Sequence, residues 1–116
     1  IKIPWSVNSL AQDAANVVLK DISHIKKTNL IIKKELEYLE NSISSLNGFE
    51  CICSSTNFIL IKTKYDSTKL QTKLLKSNIL IRDCKNFRAL DNHYIRIAVK
   101  SHKDNVKLVT ALEKIK

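Results

Sequence analysis

With 116 residues, 44% of them hydrophobic and 27% charged, the chain has material for one buried core and no second one. A single glycine and a single proline exclude a flexible linker, a low-complexity tract and a glycine-rich phosphate loop. The net charge of +9 raises a nucleic-acid reading, but the seventeen lysines are scattered among acids over every segment, the pattern of a solvated surface.

In chain order, Ser6 is expected to cap a helix running to about Asp21, with Leu10, Ala14, Val17 and Val18 on its apolar side and Pro4 just ahead of it. A longer helix is predicted over residues 22–46, because Ile25, Ile32, Leu36, Leu39, Ile43 and Leu46 step by three and four. Asn47-Gly48 should stop it, since glycine tolerates the left-handed conformation that ends helices. The period then changes. Phe49, Cys51 and Cys53 alternate with polar or opposite-facing neighbours as in a half-buried strand, and residues 54–57 form a turn cluster. The apolar run 58–61 predicts a strand covered on both faces.

Asp66 or Ser67 should cap a short helix to about Lys76, with Leu70, Leu74 and Leu75 inward. Residues 79–82 and 94–99 read as strands separated by a polar loop. Ser101 to Asp104 resembles a capping box and opens a last helix with Leu108, Val109, Leu112 and Ile115 inward. The order α-α-β-β-α-β-β-α predicts an α+β domain, a small antiparallel or mixed sheet packed by helices. It is expected to be one domain over 1–116: a lead-in segment and helix over 1–21, the long helix over 22–46, and the sheet with its remaining helices over 49–116.

No apolar stretch approaches the ~20 residues of a membrane helix, and no signal-peptide pattern opens the chain, so no membrane partner is expected. Cys51, Cys53 and Cys84 form no C-x-x-C pair, and His24, His93 and His102 are scattered, which is poor spacing for a metal. Small buried thiols in a reducing cytoplasm are the expectation. The start on Ile rather than Met reads as a segment of a longer chain.

The arginines are distributed differently. Arg82, Arg88 and Arg96 all lie within one 15-residue window. A guanidinium offers a planar fork that grips carboxylate or phosphate bidentately, which an ammonium does not. In the strand over 94–99, Ile95, Ile97 and Val99 point one way and Tyr94, Arg96 and Ala98 the other. Arg96 mid-strand is costly unless an anion meets it, and Arg82 ends its own strand similarly. If the two strands are neighbours, both forks open into one cleft suited to a dianion. The alternative is a buried arginine–aspartate pair with Asp83 or Asp91; Arg88 is as readily a structural partner. No catalytic triad or acid–base pair is legible.

Three stretches resemble a known family. Pro4-Trp5-Ser6-Val7-Asn8-Ser9-Leu10-Ala11-Gln12 resembles the segment leading into the small domain of class I/II aminotransferase-fold enzymes. Ser55-Thr56-Asn57-Phe58-Ile59-Leu60 resembles a strand start of the histidinol-phosphate aminotransferase and threonine-phosphate decarboxylase branch. Ile79-Leu80-Ile81-Arg82-Asp83-Cys84-Lys85-Asn86-Phe87, then Leu90-Asp91 and Tyr94-Ile95-Arg96-Ile97-Ala98-Val99, is most similar to the decarboxylase pattern through its cysteine and Asn-Phe pair. The resemblance runs along essentially the whole chain.

It implies the C-terminal small domain of a pyridoxal-phosphate enzyme that converts O-phospho-L-threonine to aminopropanol phosphate in cobalamin biosynthesis, with histidinol-phosphate aminotransferase as the alternative. It further implies that Arg96 and Arg82 hold the carboxylate and phosphate of a phosphorylated amino-acid substrate, in either assignment. No role carries over to Arg88, and Asn8 lies near the cleft without an implied contact. The partners implied are the large cofactor-binding domain of the same chain and a second copy in a homodimer. The family's cofactor lysine lies upstream of the Pro-Trp segment, so this chain alone is expected to be inactive and to form no imine with the cofactor. A free-standing anion-binding α+β module and a basic nucleic-acid module are the readings from other classes.

Overall fold

A computed structural model describes residues 7–115, so Pro4 and the predicted cap Ser6 lie outside the described residues. Two compact units are present, one ending at Ile31 and one beginning at Ile32. In the first, helix α1 spans Ser9–Val18, and Asn8 is its cap: its side-chain oxygen accepts the Ala11 N–H at 2.8 Å. The helix ends three residues before the predicted Asp21, whose carboxylate instead accepts the His24 N–H at 2.9 Å in the first turn of helix α2, Ile22–Ser44. Leu10, Ala14, Val17 and Val18 are all exposed.

In the second unit the predicted element order holds. After α2 come β1 (Phe49–Ile52), β2 (Phe58–Thr63), α3 (Ser67–Leu75), β3 (Arg82–Asp83), β4 (Tyr94–Ala98) and α4 (His102–Glu113). The four strands form one sheet in the order β1-β2-β4-β3, antiparallel at every pairing. Gly48 sits between α2 and β1 at φ +91°, the left-handed conformation its position demands, and its carbonyl accepts the Lys64 N–H at 2.9 Å.

One face of the sheet carries the core. Ile59, Ile61, Ile95 and Ile97 pack with Leu36, Leu39 and Ile43 of α2, Leu70 and Leu74 of α3, and Leu108, Val109 and Leu112 of α4. Strand alternation places Phe58, Leu60 and Lys62 on the other face. The two-face burial predicted for residues 58–61 is thus corrected: Phe58 is exposed and Leu60 half-buried, as an antiparallel sheet with helices on one side allows. Two further corrections follow from local geometry. Leu75 lies at the last turn of α3 and is exposed, while only Leu70 and Leu74 face inward. The strand predicted over 79–82 is corrected to Arg82–Asp83, sharing only Arg82 with the prediction: Asn78 takes φ 56°, Leu80 is exposed, and pairing with β4 begins at Arg82.

Caps fix the remaining helices. Asp66 accepts the Lys69 N–H and the side chain of Asn92, tying α3 to the loop before β4. Ser101 accepts the Asp104 N–H and donates to its carboxylate at 2.7 Å. Among the described residues no helix is long and apolar enough to cross a membrane.

Candidate functional site

The register of β3 against β4 sets Arg82 directly opposite Arg96. Arg96 is in turn opposite Leu60, and Leu60 opposite Ile52, so one rung on the open face of the sheet reads Ile52, Leu60, Arg96, Arg82. Directly opposed residues on one face bring their Cβ atoms to ~5 Å, where like charges repel. Both arginines line one cleft of about 390 Å³, with Asn57, Phe58, Gln71 and Leu80 among its other lining residues. The conditional expectation of neighbouring strands is met in the geometry. Arg88 is exposed in the loop that follows β3 and does not line this cleft.

Among the described residues neither Arg82 nor Arg96 forms an ion pair. The alternative of a buried arginine–aspartate bridge is therefore corrected. The carboxylate of Asp83 is turned to the other side: it accepts hydrogen bonds from Ser67 Oγ and Thr68 Oγ1, both at 2.8 Å, and from the Lys85 N–H, with Lys85 Nζ at 3.7 Å. Burial works to raise its pKa, but these hydrogen bonds and the Lys85 charge outweigh it and hold the carboxyl below its usual value. Asp91 accepts the His93 N–H instead.

The guanidiniums are held by neutral groups. Arg82 Nη2 donates to Asn86 Oδ1 at 3.0 Å, and its Cζ lies 5.4 Å from the centre of the Phe87 ring. Arg96 Cζ lies 4.8 Å from the centre of the Phe58 ring. Aromatic faces attract cations without neutralising them. Gln71, from α3, donates to the Ile81 carbonyl at 2.7 Å and fixes the backbone that leads into Arg82. Cys84 is buried beneath, and burial pushes its thiol pKa up although the Arg96 and Arg82 charges act in the opposite direction. The chemical capacity of this arrangement is to bind an oxyanion of high charge.

Phe58, Asn86 and Phe87 were not among the sites that residue chemistry picked out. The Asn-Phe pair stood in the sequence four and five residues after Arg82, a spacing with meaning only in a turn, which periodicity does not reveal. A second polar cluster was missed altogether. Buried Glu35 of α2 accepts from Asn105 Nδ2 at 2.9 Å and faces His102 Nδ1 at 3.2 Å, while Asn105 also bridges both backbone groups of Lys100. The Asn105 hydrogen bond leads the influences that lower the Glu35 pKa against its burial.

No family model matches the chain. It is 38% identical over 112 residues to a Caldanaerobacter subterraneus protein assigned as a threonine-phosphate decarboxylase, covering 96% of this chain and 30% of that one. It is 35% identical over 118 residues to histidinol-phosphate aminotransferase of Methanosphaera stadtmanae, covering 99% of this chain and 32% of the relative. Among solved structures, histidinol-phosphate aminotransferase from Clostridium acetobutylicum superposes with a TM-score of 0.88 at 34% identity, over 97% of this chain and 34% of that one. L-threonine-O-3-phosphate decarboxylase from Porphyromonas gingivalis gives 0.78 at 32% identity, over 94% and 34%. The chain thus spans about a third of the length of the proteins it matches. It is similar, over nearly its whole length, to one segment of the aminotransferase-fold pyridoxal-phosphate enzymes threonine-phosphate decarboxylase and histidinol-phosphate aminotransferase.

Proposed function

We propose that this chain is the C-terminal small domain of a threonine-phosphate decarboxylase-like enzyme, and that it clamps O-phospho-L-threonine between Arg82 and Arg96 on the way to aminopropanol phosphate in cobalamin biosynthesis. The observation that carries the reading is the opposed, carboxylate-free arginine pair. Two like charges held face to face without a counter-ion are stabilised by a ligand bearing two anionic groups, and phosphothreonine has a phosphate and a carboxylate. Bidentate contacts from two fixed forks would set the angle of the substrate, which is the contribution an enzyme makes when a cofactor carries the electron sink.

The cleft that holds Arg82 and Arg96 offers no amine for covalent attachment of pyridoxal phosphate. No lysine is among the residues that line the cleft. In this reading the cofactor and its lysine belong to a large domain of the same polypeptide, the parent is a cytoplasmic homodimer, and this chain by itself turns over no substrate. Binding is tested by titrating the chain with O-phospho-L-threonine and with L-threonine. Preference for the phosphorylated amino acid, with its binding weakened in both Arg82→Ala and Arg96→Ala, supports the clamp; equal binding of the two ligands refutes it.

The higher TM-score with histidinol-phosphate aminotransferase favours a second reading, in which the same forks receive histidinol phosphate. Products of the full-length parent separate them. Carbon dioxide release from phosphothreonine identifies the decarboxylase, and transfer of the amino group of histidinol phosphate to 2-oxoglutarate, giving glutamate and the ketone of the donor, identifies the aminotransferase.

A further inference from the structure

We propose that Asn86 and Phe87 are positioning residues for Arg82, fixing the direction of its guanidinium while leaving its charge uncompensated for a phosphate group. The inference rests on the proposed anion clamp and adds to it the device that aims one of the two forks.

Arg82 needs such a device more than Arg96 does. Arg96 stands mid-strand and half-buried, whereas Arg82 begins a two-residue strand and is exposed. A long, exposed side chain loses rotamer entropy when it is ordered, so a disordered fork binds its ligand more weakly than one already in place. The loop after β3 supplies the order. The Phe87 N–H donates to the Cys84 carbonyl at 2.9 Å, and the Leu90 N–H donates to the Phe87 carbonyl at 3.1 Å. Buried Cys84 anchors this turn from below, and its N–H donates to the Tyr94 carbonyl of β4 at 3.0 Å. The turn brings Asn86 and Phe87 back over the side chain of Arg82.

The chemistry of the two holders is selective. A guanidinium only donates, so Asn86 must present its carbonyl oxygen, and it takes up one N–H direction at 3.0 Å. The phenyl ring lies 5.4 Å from Cζ and restricts the plane of the fork. Both groups are neutral. An aspartate in place of Asn86 would hold the fork as firmly but cancel its charge, and the nearby carboxylate that could do so, Asp83, is engaged by Ser67, Thr68 and Lys85. Orientation and charge are thereby separated: the fork is aimed, yet its field remains available to an incoming phosphate.

The test uses inorganic phosphate as probe and compares the unaltered chain with Asn86→Asp, Asn86→Ala, Phe87→Leu, Arg82→Ala and Arg96→Ala. Asn86→Asp is expected to raise the phosphate dissociation constant by ~10-fold or more, the scale of one lost charge-assisted contact, and Asn86→Ala and Phe87→Leu by ~3-fold. Asn86 and Phe87 are exposed, so urea unfolding midpoints should stay close to that of the unaltered chain. The NMR signal of the Arg82 Nε–H should sharpen in the unaltered chain and in Asn86→Asp, and broaden in Asn86→Ala, a change that a purely structural loop residue would not produce. Phosphate binding that depends on Arg82 and Arg96 but is indifferent to all three loop variants overturns this inference and leaves the clamp standing. No phosphate binding by the unaltered chain, or binding indifferent to Arg82→Ala, overturns both.

Discussion

The facing arginines should repel, and a double-mutant cycle measures by how much. The perturbations are Arg82→Met, Arg96→Met and both together, which remove charge while keeping much of each aliphatic stem. For charges as close as the ~5 Å Cβ spacing of a cross-strand pair, the repulsion is about 0.8 kcal/mol in water and about 3 kcal/mol at the effective dielectric of protein surface pairs; the guanidiniums lie at the ends of long side chains on separate rings, so these figures serve as upper bounds. Arg82 is exposed, so screening by solvent places the value near the lower figure. Each arginine also faces an aromatic ring, Phe87 or Phe58, and loses that contact on substitution, a cost of ~0.5–1 kcal/mol. Those individual costs cancel in the cycle, which retains only the coupling between the two sites. Urea unfolding at low ionic strength should therefore yield an unfavourable coupling of up to about 1 kcal/mol that shrinks in ~1 M salt, where the Debye length is ~3 Å. In saturating phosphate the coupling should change sign, because both forks then share one ligand. A coupling of zero at low salt, or a favourable one without phosphate, would refute the view that the pair is held together uncompensated.

Other expectations concern what holds the second unit. Asn105→Ala removes the principal donor to buried Glu35 and should cost ~2–3 kcal/mol in urea unfolding. Glu35 has a lowered pKa in the folded chain, so its contribution is complete above its ordinary value of 4.5 and is lost as pH falls through the folded value. Unfolding free energy should accordingly decline below about pH 4.5, and Glu35→Gln should flatten that decline. Gly48→Ala should destabilise by ~1–3 kcal/mol through its φ of +91°; because Lys64, the side chain in the way, is flexible, adding Lys64→Ala should not restore stability. Ile61→Ala, at a fully buried position in the central strand β2, should cost ~2–5 kcal/mol, read from the same unfolding curves.

Much of this architecture was legible because helix and strand periodicities differ. Leu36, Leu39 and Ile43 marked the inward side of α2, and Ile95 and Ile97 that of β4, since the core fills one side of each element. The apolar run over 58–61 misled for a physical reason. Phe58 and Leu60 are apolar on the open face, where Phe58 supports Arg96, and composition does not distinguish that duty from burial. The strand over 79–82 was overestimated because β propensity counts side chains, whereas pairing with β4 reaches only Arg82 and Asp83. Arg82 and Arg96 could be singled out as a pair of unusual residue types, but their register needed the fold. Glu35 reads as one more solvated acid among lysines; its partners His102 and Asn105 stand 67 and 70 residues away, beyond any local pattern.

The brevity of β3 has a consequence for how the molecule coexists with other copies of itself. A sheet margin with free peptide groups is a template on which foreign strands extend. Here that margin is two residues long, and the side chain it presents on the open face is a cation facing a second cation. A self-associating chain would have to bring its own arginines into the same corner. Retaining positive charge at this margin discourages stacking in solution, and either arginine replaced by an apolar residue removes part of that deterrent.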